Sequence, residues 1–176
     1  MVDILARHAI PNVRNALLSH SADLNKKLLK ETFVALFNPT REEVRGFFCD
    51  AWKKKRNGQI LDAMETLATD WIAQHPEYHP LLADSERALS QDYTPERGET
   101  NPFLHLSMHL SISEQISINQ PLGIKEIAEQ LSKKTGSEHE AQHLMMECLG
   151  QVIWESQREG KPINPEHYLE ALKKLC

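Results

Sequence analysis

Three times in this chain a Ser, Thr or Asp stands three residues ahead of a glutamate, just before an apolar helical repeat: Thr40/Glu43, Asp62/Glu65 and Ser137/Glu140. Such a pair is a capping box. The first side chain accepts from the glutamate's N–H, and the glutamate reaches back to the capping N–H. Asn101-Pro102 and Asn164-Pro165 mark two more helix starts, because proline at the first helical position gives up no intrahelical bond. The stops are equally plain. Asn57-Gly58, Gly136 and Gly160 suit helix ends, and His75-Pro76 closes another helix, since a residue before proline avoids the α region. No segment alternates with β-branched residues as a strand would. The pattern predicts an all-α fold, a single-domain bundle of about five or six main helices.

The apolar spacing fills in these helices. Val44, Phe47, Phe48, Ala51 and Trp52 belong to the first, and Met64, Leu67, Ala68, Trp71 and Ile72 to the second. A short helical piece is expected around Leu81 to Leu89, then a polar loop from Asp92 to Thr100. Longer helices follow at Asn101–Ile118, Ile124–Lys134 and Glu138–Glu159, with a last one at Glu166–Leu175. Leu17, Leu18, Leu24, Leu28, Leu29, Phe33 and Val34 suggest one or two helices nearer the start, interrupted by Pro11.

The formal charge of −5 argues against general nucleic-acid binding. The run Lys53-Lys54-Lys55-Arg56 falls at a predicted helix C-terminus, where cations suit the helix dipole. Three well-separated cysteines, Cys49, Cys148 and Cys176, form no disulfide framework and suit a reducing, cytoplasmic setting. No apolar run reaches the length of a membrane span, and the first twenty residues lack the plan of a secretory signal. A protein partner or self-association stays open.

The chemistry lies in the histidines. Six of the nine come as pairs four apart: His75/His79, His105/His109 and His139/His143. On a helix, residues four apart share a face. His105 and His109 fall in the middle of a wide apolar arc formed by Phe103, Leu106, Met108, Leu110, Ile112 and Ile116, with Ser107, Ser111, Glu114 and Gln115 on the narrow polar side. Two imidazoles aimed into a core need partners, because an unsatisfied buried polar group costs about 1–3 kcal/mol. A shared metal ion satisfies both; carboxylates, carbonyls or water would also serve. His139 and His143 border the stripe Ala141, Met145, Leu149, Val152 and Ile153, with Glu147 one turn further along the same row. Gly150 on this side predicts close approach of another helix. Pro76 and Pro80 keep His75 and His79 out of a regular helix, so that pair reads first as a rigid turn, with a ligand from the loop as a lesser option.

Two adjacent helices could therefore supply His105, His109, His139 and His143 to one divalent ion, with Glu147 as a further ligand or supporting carboxylate. Zinc, iron, nickel and manganese all suit nitrogen and carboxylate donors. His139-Glu140-Ala141-Gln142-His143 also matches HExxH, the zinc-hydrolase pattern with glutamate as general base. Glu140 has a competing role there, closing the Ser137 capping box. A reading of a different class is a non-catalytic interaction module whose histidines are hydrogen-bonded core residues.

The segments HPEYH (His75 to His79), DYTPERGETNPFLHLSMHL (Asp92 to Leu110) and EHEAQHLMMECL (Glu138 to Leu149) resemble an uncharacterised bacterial domain-of-unknown-function family, from about Phe37 to Leu172. The resemblance implies a cytoplasmic helical protein with the histidine segments as its signature. Members begin near a Phe-x-Pro-Ser/Thr stretch, here Phe37-Asn38-Pro39-Thr40. That implies a domain over residues 37–176, with residues 1–36 an N-terminal extension outside it.

Overall fold

The computed structural model describes residues 39–93 and 100–176. Among these residues there are eight α-helices, one 3-10 turn and no strand. They are α1 (Arg41–Arg56), α2 (Ala63–Ala73), the 3-10 turn (Pro76–Tyr78), α3 (His79–Leu82), α4 (Ser85–Ser90), α5 (Pro102–Ile118), α6 (Ile124–Thr135), α7 (Glu138–Glu159) and α8 (Pro165–Lys173). The all-α expectation holds. The leucine-rich stretch before Leu36, the boundary at residues 36–37 and most of the Asp92–Thr100 loop lie outside the described residues.

The caps explain the starts. Thr40 Oγ1 accepts from Glu43 N at 3.2 Å, and Glu43 Oε2 accepts from Thr40 N at 2.7 Å. Asp62 and Glu65 form the same reciprocal pair at 2.8 and 3.0 Å. Asn101 Oδ1 takes the N–H groups of Phe103 and Leu104 at the head of α5. The third box forms only its serine half. Ser137 Oγ accepts from Glu140 N at 3.3 Å, but Ser137 N donates to Thr135 Oγ1 instead of to Glu140. The threonine hydroxyl sits two residues away in the same turn and reaches that N–H first. The short piece expected at Leu81–Leu89 is two helices, because Asp84 accepts from Arg87 N and starts α4 afresh.

The described chain forms two compact units, divided within α5 between Leu110 and Ser111. In the first, α1 packs on α2, α3 and α4. Phe48, Trp71, Ile72, Leu82, Phe103 and Leu106 lie at the centre of its core. Burying a side chain of this size contributes about 1.5–3 kcal/mol. Arg45 is also inside, only 2% exposed. One guanidinium nitrogen donates to the carbonyls of Ala88, Leu89 and Gln91 at 2.8–3.0 Å, capping the C-terminus of α4. Its carbon lies 5.2 Å from the Phe103 ring and 5.4 Å from the Tyr93 ring, so the charge also meets aromatic faces.

In the second unit, α6 packs on α7, and α8 packs on both. Ile124, Leu131, Met145, Leu149, Ile153 and Leu172 are buried there. Gln142 on α7 donates to Ser113 Oγ on α5 at 3.2 Å. Gly160 closes α7 with φ +64°, a conformation that glycine adopts without a Cβ penalty. Among the described residues Gly150 does not serve the close approach expected of it: a Cβ built there meets none of them within 4 Å.

Candidate metal centre

α5 carries His105 and His109 at helical spacing, and they meet different surroundings. His109 is fully buried, and its ring stacks on Trp71 of α2 at 4.1 Å between centroids and 12° between planes. His105 is half-buried, with its ring edge-on to both His109 and His75 at 4.9 and 4.6 Å. On the narrow side of this helix Ser107 and Gln115 are buried too, so the expected polar side is not a solvated one.

The partner of His109 comes from the turn after α2. His75 is 3% exposed, and its Nε2 lies 3.0 Å from His109 Nε2. The other ring nitrogen, Nδ1, lies 3.0 Å from Glu77 Oε1. An ionised carboxylate can only accept, so His75 Nδ1 carries the proton and donates. A neutral His75 then presents a lone pair at Nε2, directed at His109. Burial pushes the Glu77 carboxyl up, but its own backbone N–H and the His75 imidazole pull harder, and it titrates below the usual carboxylate range. Tyr78 stacks on His75 at 5.2 Å and 18°, and burial, aided by the Glu77 charge, pushes its hydroxyl up to about 12.

Pro76 starts the 3-10 turn that lifts His75 out of α2, and Pro80 sits in the first turn of α3, where it costs no hydrogen bond. The two histidines therefore part. His79 Nε2 donates to the Ile72 carbonyl at 2.8 Å, and its ring lies 4.3 Å from that of Trp52. His79 is thereby committed to the backbone, whereas His75 is aimed at another imidazole.

On α7, His139 and His143 are both half-buried, at the edge of the apolar stripe, with ring centroids 4.2 Å apart. Glu147 and Glu140 are exposed. Because the cap at Ser137 does not use it, the Glu140 carboxylate is not tied into the helix start.

His75, His109, His139 and His143 form a group of histidines that could hold a metal ion. Three of them belong to the set expected from sequence. His105 and Glu147 of that set are not among the four, and His75 is. His75 stands 34 residues from His109, so helical periodicity could not pair them. The available hint was the HPEYH segment, with a glutamate two residues after the histidine.

No helix among the described residues is long and apolar enough to cross a membrane. A family model described as a domain of unknown function (DUF1841) matches residues 40–174, in keeping with the resemblance to such a family. No curated protein and no solved structure matches the chain.

Proposed function

Because the chain belongs to the DUF1841 family, a domain of unknown function, its activity has to come from its own residues, and we propose that it binds one divalent transition-metal ion through His75, His109, His139 and His143. The observation that carries this reading is the pair of buried Nε2 atoms of His75 and His109, 3.0 Å apart. Ligand nitrogens about 2.0–2.1 Å from a tetrahedral ion stand roughly 3.4 Å apart, so this pair is already near ligand spacing.

An all-imidazole donor set favours zinc, nickel or iron over manganese, which prefers carboxylate and water oxygens. His105, beside both buried ligands, and Glu147, one turn beyond His143, are the groups that would complete a larger coordination shell. The free, separated cysteines suit a reducing compartment, and we place the protein in the cytoplasm.

Elemental analysis of untagged protein tests the proposal. Stoichiometric metal is expected, and the double variant His75→Ala/His109→Ala should lose it. Metal-free protein that gains no stability from added zinc, nickel or iron would reduce the contact to an ordinary buried hydrogen bond in a non-catalytic module. One observation supports a second reading, metal-assisted hydrolysis: Glu140 of the HExxH segment is not held by the helix cap. In that case Glu140→Gln should keep the metal and lose hydrolysis of a simple activated ester; equal rates in both proteins would remove the reading.

A further inference from the structure

We infer that Glu77 is a positioning residue for the metal site, holding the proton of His75 on Nδ1 so that Nε2 is delivered as the donor atom. This rests on the metal-binding reading above, and it names a residue that the ligand set alone does not.

His75 has one buried ring with two nitrogens in different company. Nδ1 meets the Glu77 carboxylate at 3.0 Å, and Nε2 meets His109 Nε2 at 3.0 Å. A neutral imidazole has one proton to place. Placed on Nε2, it would leave Nδ1 as a lone pair facing a carboxylate oxygen, two acceptors 3.0 Å apart. Placed on Nδ1, it makes a charge-assisted hydrogen bond and puts the lone pair on Nε2, the nitrogen that faces His109. The carboxylate therefore selects the tautomer. It also makes the ring a stronger donor, as a carboxylate behind a ligating histidine commonly does.

The local backbone makes the arrangement stiff. Pro76 fixes the start of the 3-10 turn, and Tyr78 N donates to the His75 carbonyl at 3.0 Å, closing the turn around Glu77. Glu77 therefore needs no distant element to hold it. Tyr78 covers one face of the His75 ring, so the ring can swing little about its own bond to Cβ. The Glu77 side chain itself is 57% exposed, so replacing it opens no core cavity and removes little besides the hydrogen bond.

The test uses the full untagged chain and zinc chloride as the probe, titrated in competition with a chromophoric chelator. Glu77→Ala should weaken zinc binding about ten- to a hundred-fold. Glu86→Gln, which removes an exposed negative charge on α4, should leave the affinity unchanged and so exclude a general charge effect. Glu77→Asp should recover part of the loss. Independently of metal, the ring-nitrogen chemical shifts of His75 in ion-free protein should report the proton on Nδ1 in the wild type, and a mixture of tautomers in Glu77→Ala. Wild type that binds zinc with the same affinity as Glu77→Ala would overturn the role of Glu77 while leaving the site intact. Wild type that binds no zinc would overturn the site itself, and the positioning role with it. A wild-type His75 protonated on Nε2 would overturn the role of Glu77 whatever the zinc result.

Discussion

The two units are built on different internal chemistry. The first takes polar groups inside and satisfies them there. Arg45 caps α4, His75 and His109 face each other, and Thr69 donates to the Thr66 carbonyl at 3.0 Å. The second unit also buries Gln115 and Gln142 but closes mainly over aliphatic side chains along α6, α7 and α8, and its histidine pair stays half-buried at the edge of that seam. A buried polar group has to be matched to fixed partners, so the first pair is held in place before any ligand arrives. An edge pair can stay hydrated and adjust. One half of the proposed centre is thus rigid and the other adaptable.

The sharpest break of this contrast is at Arg45. Arg45→Ala removes the donor to three carbonyls at the end of α4 and leaves a gap beside Phe103, and should cost about 3–4 kcal/mol by urea denaturation. A loss below about 1 kcal/mol, the range of ordinary surface changes, would mean that water replaces it and that the first unit does not depend on its buried charge. Next is a matched pair of histidine variants. His109→Ala loses the Trp71 stack and the contact with His75 Nε2, and should cost about 2–3 kcal/mol. His143→Ala should cost less than about 1 kcal/mol while losing metal just as His109→Ala does. Equal stability losses at the two positions would erase the distinction between a rigid and an adaptable half.

Two smaller effects sharpen it further. Gly150→Ala should stabilise the chain by about 0.5–1 kcal/mol, since the residue is mid-helix and an added Cβ meets none of the described residues; destabilisation in thermal melts would mean that the seam is tighter there than the structure shows. In the first unit, the hydrogen bond from Lys54, then that from the Asp62 backbone, holds the Glu65 carboxyl below its ordinary value. The unfolded chain thus takes up that proton more readily, and the stabilisation is present above the ordinary glutamate value of about 4.3 and fades as pH falls through the lower folded value. Glu65→Gln should therefore differ from wild type most at neutral pH, with the gap narrowing in acid; a gap independent of pH would contradict the pairing.

Most of the fold is legible in the sequence because helix ends are local events. Thr40, Asp62, Asn101 and Gly160 each act through neighbours a few residues away, and they sit where those neighbours demand. Ser137 shows the limit: Thr135, not Glu140, takes its N–H, and two competing local partners cannot be ranked from spacing alone. The site is half legible. Periodicity marks His105/His109 and His139/His143 as paired, but it carries no information about a turn such as His75–Tyr78, whose prolines break the period. His105 and His109 look equivalent on a helical projection, yet one stacks on Trp71 at full burial and the other stands half-exposed beside it. The difference comes from what meets each ring, Trp71 of α2 for His109 but His75 and Tyr78 of the following turn for His105, and that is fixed only by packing.

X-ray absorption on the zinc-loaded, untagged chain tests the central claim most directly, because it counts the ligands and identifies their atoms. A shell of four nitrogens about 2.0–2.1 Å from the ion, with the outer-shell scattering of imidazole rings, is the expected result. A first shell with sulfur near about 2.3 Å, or one made mainly of oxygen with two imidazoles or fewer, would show that His75, His109, His139 and His143 do not share one ion.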